Sequence, residues 1–418
     1  MQAVTRALLV TLSCLSVILT ARTDFRFEIL DKIGCGPISE QLLRTATGAI
    51  VYVESPDVVR QGKVTFIVGA PAIATNRDGS PFTLSVDGRK ISTLAGVLLH
   101  ARDSIEPIPS PLPMRWIRTP RILLSPGKSA DMLWMPEPRI AGDPVGLMGS
   151  TWTGGRWSTA QIVDANATPF RWIASNIFRF QTSDGSAPWL IYSQGDSEAK
   201  GSTRVYHSES KLKADVFAGV SELYPTAVTA ANGNFLFAFV NYGAPDGNAV
   251  YVKRLDRHGA RIGTPLRVSA PGIGNAYAPV IAKGQSVLTI VWMVDGSAEG
   301  LFAATSTDGG ISWRQHPKLP VGIEAMAAVG DQFGAVHIIA QLRTSGRTTT
   351  PVYYTWSRGR WTKRWQASTP SFGTPSISLV GRDSLFVTWA DPTNARGLQF
   401  LSTRFWTHSL ACLSDMTI

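Results

Sequence analysis

The chain has 418 residues, of which 44% are hydrophobic, 17% charged and 9% aromatic. That balance excludes a disordered chain, which needs low hydrophobicity and dense charge, and 3 Cys are too few for a disulfide-knit mini-protein. The net charge is +10 and scattered, with no long basic run, so no nucleic-acid partner is expected and anionic glycans or cell surfaces are.

The first residues read as a targeting segment. Arg6 is followed by an almost unbroken apolar stretch from Ala7 to Ala21. At about 15 residues it is short for a membrane span and matches a signal-peptide core, an uncleaved anchor being the alternative. Residues 1–21 are therefore expected to be removed, leaving a secreted protein, extracellular or periplasmic, with no stable membrane span. Cys14 leaves with that segment, so Cys35 and Cys412 remain near the two ends of the mature chain. In an oxidising compartment they are expected to pair if the fold brings its ends together. So long a closed loop would contribute about 4–5 kcal/mol by restricting the unfolded chain.

Residues 22–62 form an N-terminal segment, and 63–418 carry the regular pattern. Val64 to Val68 and Phe82 to Val86 read as strands. Apolar runs of strand length then end at Trp134, Tyr192, Phe239, Trp292, Ala340 and Trp389, at steps of 58, 47, 53, 48 and 49 residues. A proline precedes several of these runs by roughly a dozen residues: Pro120, Pro225, Pro279 and Pro375. Each is expected to open a strand, where a missing N–H is harmless. Turn signals with a following Trp recur, most fully at Ser306-Thr307-Asp308-Gly309-Gly310-Ile311-Ser312-Trp313. Asp and Ser cap turn amides, Gly supplies positive φ, and Trp packs beneath. Ser306, Asp308, Gly310 and Trp313 are accordingly given structural roles.

A unit of some four dozen residues cannot bury both faces of its sheet alone, and radial repetition solves this. The expected fold is all-β, a six-bladed β-propeller whose N-terminal strands close the ring. Seven blades are the alternative if residues 63–100 form a blade of their own.

The octet Ser306 to Trp313 fits the pattern Ser-x-Asp-x-Gly-x-Ser/Thr-Trp and resembles the Asp-box (BNR) repeat of sialidases and related propellers. The segment Arg118-Thr119-Pro120 looks like the Arg-x-Pro strand that opens the sialidase propeller. The resemblance implies that Arg118 binds the sugar carboxylate, which a guanidinium matches bidentately. It also implies Asp143 as acid/base, Glu324 as the residue activating the nucleophile, and Arg343 as a second carboxylate ligand. The nucleophile in that family is a Tyr. Here the corresponding stretch reads Ser371-Phe372-Gly373-Thr374-Pro375, and Phe372 has no hydroxyl. The third Arg is Arg382 or Arg404. Glu222 and Tyr224 lie two apart at another strand start and share a face.

Two functions follow from the resemblance: a secreted sialidase-like glycoside hydrolase acting on terminal acidic sugars, or a non-catalytic propeller binding glycans or proteins. Neither requires a cofactor or a metal.

Overall fold

The computed structural model describes residues 40–409 apart from connecting stretches, among them 110–117, 137–145, 166–176, 181–188 and 392–401. The described residues are almost entirely β-strand, and no helix among them is long and apolar enough to cross a membrane.

The strands form successive antiparallel sheets, numbered here along the chain. Sheet 1 holds Ile50–Val53, Asp57–Gln61, Val64–Thr75, Leu94–His100 and Ile105–Pro109. Sheet 2 holds Arg118–Leu124, Ala130–Met135, Leu147–Thr153, Arg156–Trp157 and Gln161–Asp164. Sheet 3 runs through Ile177–Phe180, Trp189–Gln194, Ser202–His207 and Lys213–Phe217. Sheet 4 runs through Glu222–Thr229, Phe235–Asn241, Ala249–Leu255 and Arg261–Arg267. Sheet 5 comprises Asn275–Lys283, Leu288–Asp295, Gly300–Ser306 and Arg314–Gln315, and sheet 6 comprises Ile323–Gly330, Val336–Arg343, Thr349–Ser357 and Arg360–Gln366. Sheet 7 is made of Phe372–Val380, Ser384–Asp391 and Ser402–Ser409, with Gln41–Leu42 from the start of the chain on its outer edge.

Strands at one edge of each sheet meet those of the next. Arg118–Leu124 meets Ile177–Phe180, and contacts continue through Glu222–Thr229, Asn275–Lys283 and Ile323–Gly330 to Phe372–Val380. That strand meets Asp57–Gln61, which returns to Arg118–Leu124. The circuit is closed, and the fold is an all-β propeller.

The expectation of six uniform blades is not met. Five sheets are plain four-stranded blades and two are five-stranded. Sheets 1 and 2 differ because one edge strand is broken. In sheet 1, Ile50–Val53 and Asp57–Gln61 lie end to end along Val64–Thr75. In sheet 2, Arg156–Trp157 and Gln161–Asp164 share the edge of Leu147–Thr153 in the same way. Val64–Thr75 and Leu94–His100 lie within sheet 1, Leu84–Val86 and Arg89–Ile91 between them pair as a separate two-stranded sheet, and the last sheet is closed by Gln41–Leu42, paired with Phe405 and Arg404. Glu40 adds a tie between distant parts of the sequence, its carboxylate accepting from the Ser368 amide at 2.9 Å and hydroxyl at 3.0 Å.

The second strand of each sheet explains why the ring must close. Phe235–Asn241 is buried along almost its full length, because both of its faces are covered. Successive side chains serve opposite gaps, as strand pleating requires. Phe235 and Phe237 pack with Ile191 and Val205 of sheet 3, whereas Leu236 and Ala238 pack with Ile290 and Trp292 of sheet 5. Val291 and Ile338 share the next gap, and Ile339 packs with Val387 and Trp389 beyond it. Phe386 of sheet 7 joins Val51, Ile67 and Leu94 of sheet 1. Each side chain of this size contributes roughly 1.5–3 kcal/mol when fully buried.

Sheet 6 also holds a buried polar joint. His337 Nε2 lies 3.0 Å from Asp331 Oδ2, and its Nδ1 lies 2.8 Å from the Tyr353 hydroxyl. Burial pushes the Tyr353 phenol well above its ordinary range, so it stays protonated. The consistent arrangement is Tyr353 O–H donating to Nδ1 and Nε2–H donating to the carboxylate.

The recurrent prolines do not open their strands, as expected from the sequence, but sit inside them at bulges. The register breaks between Leu223 and Thr226 around Pro225, between Tyr277 and Val280 around Pro279, and between Phe372 and Ser376 around Pro375. Arg118 pairs with Met135 and Arg121 with Leu133, which leaves Thr119 and Pro120 in the shift. A bulge spares the ladder bond that proline cannot make. At Ala278, just before Pro279, the bulge imposes a φ of 45°, a left-handed conformation unfavourable for a residue with a Cβ. Ala278→Gly should therefore leave the fold intact and raise stability by about 1 kcal/mol in denaturant titration. A loss of stability would show that the methyl contact outweighs the strain.

Candidate functional site

The inner strands all begin at one end of the ring, where the second strands finish. Glu324 is the second residue of Ile323–Gly330, and Arg343 is the last of Val336–Arg343. The structure brings these two expected residues together, with Arg343 Nε donating to Glu324 Oε2 at 3.2 Å. A third residue joins them that sequence reading missed. Glu299 leaves the turn between the second and third strands of sheet 5 and accepts from Arg343 Nη1 at 2.9 Å. The cluster thus straddles sheets 5 and 6. The backbone holds it in place, since the Arg343 amide donates to Gly322 O at 3.0 Å.

Arg343, Glu324 and Glu299 retain 52%, 59% and 31% of their side-chain exposure. In such a wet setting the ion pairs orient the guanidinium more than they stabilise the fold. Nε and Nη1 are engaged, and Nη2 has no partner among the described residues. The arrangement can present a braced guanidinium edge to an incoming anion, with carboxylate oxygens beside it to accept from hydroxyls.

The other expected site residues are less fully placed. Arg118 starts the inner strand of sheet 2 at this same end, opposite Met135. Glu222 likewise pairs with Asn241 at the start of sheet 4, in the strand that holds Tyr224. Asp143, Arg382, Cys35, Cys412 and residues 1–21 lie outside the described residues. Arg404 pairs with the fully buried Asp391 of the neighbouring strand, which ties it to sheet 7. Phe372 pairs through its backbone with Ala390. No group of three or more His, Cys, Asp or Glu that could hold a metal occurs among the described residues.

One tyrosine at this end does stand beside a carboxylate and an arginine. Tyr192 donates to Asp164 Oδ2 at 2.5 Å, and Arg204 Nη1 reaches the same oxygen at 2.8 Å. Tyr192 is fully buried, so this trio joins sheets 2 and 3 and offers no accessible nucleophile. Asp246 is similarly committed. Both of its oxygens accept from Arg267 at 2.7 Å, and the Gly272 amide adds a bond at 2.8 Å. The Arg267 guanidinium and then that amide hold the Asp246 carboxyl down at about 2.

The Ser306–Trp313 turn lies between the third and fourth strands of sheet 5, at the opposite end of the blade. Asp308 Oδ1 accepts from the Ser306 hydroxyl at 2.7 Å and from the Ile311 and Ser312 amides at 3.0 Å. Its Oδ2 accepts from the Ser312 hydroxyl at 2.6 Å, while Ser306 Oγ accepts from the Gly310 amide at 2.8 Å. Gly310 has a φ of 86°, and a Cβ there would lie 3.0 Å from Leu236. Trp313 packs on the core between sheets 4 and 5. The Ser312 hydroxyl and the turn amides hold the Asp308 carboxyl well below its ordinary value.

No protein-family model and no curated protein matches the chain in sequence. Among solved structures, a PL25 ulvan lyase bound to -[GlcA(1-4)Rha3S]- superposes with a TM-score of 0.50 at 11% identity, over 84% of this chain and 93% of that one. A Trypanosoma rangeli sialidase gives 0.42 at 13% identity, over 91% of this chain and 61% of that one. An endo-1,4-beta-xylanase from Bacteroides thetaiotaomicron gives 0.38 at 14% identity, over 60% and 94%. At these identities the likeness concerns the fold alone.

The Ser306–Trp313 turn makes a pH-dependent prediction. Because the folded value of Asp308 is depressed, its contribution is present above the unfolded value of 3.8 and lost as pH falls through the lower folded value. Asp308→Asn keeps one acceptor and loses the other. Its melting temperature should therefore lie below that of the unaltered chain by a constant gap above pH ~5, closing progressively below pH ~4. A gap that persists undiminished in strong acid would contradict the ionised-acceptor role.

Proposed function

We propose that the protein is an exported propeller that recognises acidic sugars at the rim where its inner strands begin. The ring takes in the two broken-edged sheets beside the five regular blades. The observation that carries the reading is the exposed Arg343 guanidinium, braced by Glu299 and Glu324, with Nη2 left without a partner among the described residues. A sugar carboxylate would take the free guanidinium edge, and ring hydroxyls would donate to the two carboxylates. Arg118 is a second carboxylate ligand in this reading. The chain's +10 charge offsets, at long range, the local excess of one carboxylate. The ulvan lyase of similar fold, solved bound to a GlcA–Rha3S repeat, is in keeping with a glycan ligand. Export rests on the leader-like residues 1–21.

A second reading, hydrolysis of the same terminal sugars in the sialidase manner, is favoured by two carboxylates sharing one guanidinium, since glycosidases work with carboxylate pairs. In that version Asp143 transfers the proton, and Glu324 activates the nucleophile. Binding without turnover is the better-supported form, because Phe372 lacks the hydroxyl the chemistry needs and Tyr192 is buried.

The test is equilibrium binding of sialyllactose against lactose, beside hydrolysis of a fluorogenic sialoside from pH ~4 to ~8. Sialyllactose should bind more tightly than lactose, and Arg343→Ala should weaken it by about tenfold or more, the size of a lost charge-assisted bond. Equal affinity for both sugars, or an unaffected Arg343→Ala variant, would overturn the reading. Turnover abolished by Glu324→Gln would establish the hydrolase form instead.

A further inference from the structure

The outer rim of sheets 4, 5 and 6 is predominantly basic, and Asp246, which meets the outermost strand of sheet 4, is paired through both oxygens with Arg267. Arg261, Arg314, Arg358, Arg360 and Lys363 are all exposed there. The outermost strands Arg261–Arg267, Arg314–Gln315 and Arg360–Gln366 contain no acidic residue. The two acids of the adjoining turns, Asp256 and Asp308, accept bonds within those turns, Asp256 from the Ala260 amide at 2.8 Å. The three outer edges are stitched into one surface. Gln315 Nε2 donates to Val268 O at 2.8 Å between sheets 4 and 5, and Trp361 Nε1 donates to Pro317 O at 3.0 Å between sheets 5 and 6.

Charges on an edge strand ordinarily prevent edge-to-edge pairing, and either sign serves that purpose. Edge protection accounts for charge here but not for the exclusion of acids across three neighbouring sheets. Elsewhere on the ring the pattern differs. The outer strand of sheet 1, Ile105–Pro109, carries Glu106 and no base, and Glu40 flanks the outer strand of sheet 7. The basic surface is therefore one flank of the ring.

We infer that this flank docks a polyanionic polysaccharide, at a place separate from the Arg343 cluster. A flexible chain bearing carboxylates or sulfates can follow the curved rim and meet cations on successive sheets, gaining affinity by multiple weak contacts. A single-stranded nucleic acid would also want exposed aromatic faces for its bases. The indoles on this rim are already used, Trp361 against Trp356 at 4.8 Å and Trp365 against Trp389 at 5.3 Å. The exposed large hydrophobics among the described residues are Ile162, Leu266 and Ile311, none of them aromatic.

The experiment is binding of the full chain to immobilised heparin and alginate over a salt series. The variants are Arg360→Glu and Lys363→Glu singly, their combination with Arg314→Glu, and, as a control of equal charge change, Lys90→Glu, exposed in the separate strand Arg89–Ile91. The triple variant should lose about tenfold or more in affinity at ~0.15 M salt, and each rim single variant should lose clearly more than Lys90→Glu. Arg343→Ala should lose clearly less than either rim single variant. Should the triple variant fail to fold, the single variants decide. Equal losses in Arg360→Glu and Lys90→Glu would mean diffuse attraction and overturn the inference. So would loss in Arg343→Ala with retention in the rim variants, which would send the polymer to the channel mouth. Oligonucleotides of matched charge that stay bound at salt concentrations releasing heparin would overturn the choice of polysaccharide. Failure of sialyllactose to bind would leave this result untouched.

Discussion

The controlling constraint is that each sheet of this protein is apolar on both faces. A strand such as Phe235–Asn241 sends alternate side chains into two different gaps, so no sheet can shed a neighbour without exposing core. Lined up in a row, such sheets would leave two naked faces. Bent into a ring they leave none, provided the last sheet meets the first. Phe386 against Val51 and Ile67 supplies that meeting in the core, and Gln41–Leu42 on Ser402–Ser409 supplies it in the backbone.

The same constraint leaves the ends and the outer edge as the places where polar side chains stay exposed. The gaps are filled, so chemistry is left to the connections, where side chains from adjacent sheets come within reach. Glu299 and Arg343 are 44 residues apart and meet only because sheets 5 and 6 stand side by side. The same logic produces joints that are buried. Asp164 with Tyr192 and Arg204, and Asp331 with His337 and Tyr353, spend their polar groups inside or between blades. Exposure separates the two kinds. Tyr192 is fully buried, whereas the Arg343 side chain is about half exposed.

Much of the architecture was legible in the sequence because it is periodic. Trp134, Tyr192, Phe239, Trp292, Ala340 and Trp389 all fall on second strands, the ones buried on both faces and hence the longest apolar runs. Sheet 1 escaped that count. Its second strand, Val64–Thr75, carries no aromatic toward its end, and its inner edge is broken between Val53 and Asp57. The prolines mark inner strands, but at bulges and not at strand starts, since an edge bulge tolerates proline as well as a strand start does. Glu324 and Arg343 could be proposed because the sialidase resemblance implies a Glu at the start of one inner strand and an Arg at the end of the next, and those strand ends are visible in the pattern. Glu299 could not, because it lies in a connection of the neighbouring sheet and no local motif marks it.

Ring closure is most directly tested by removing the segment that fastens it. In a chain lacking residues 1–42, amide hydrogen exchange should accelerate on the second strands of all the sheets together, including those far from the cut, and thermal unfolding should remain a single, earlier transition. Protection lost only in Phe372–Val380, Ser384–Asp391 and Ser402–Ser409, with the remaining sheets as slow as before, would contradict a ring whose members depend on one another.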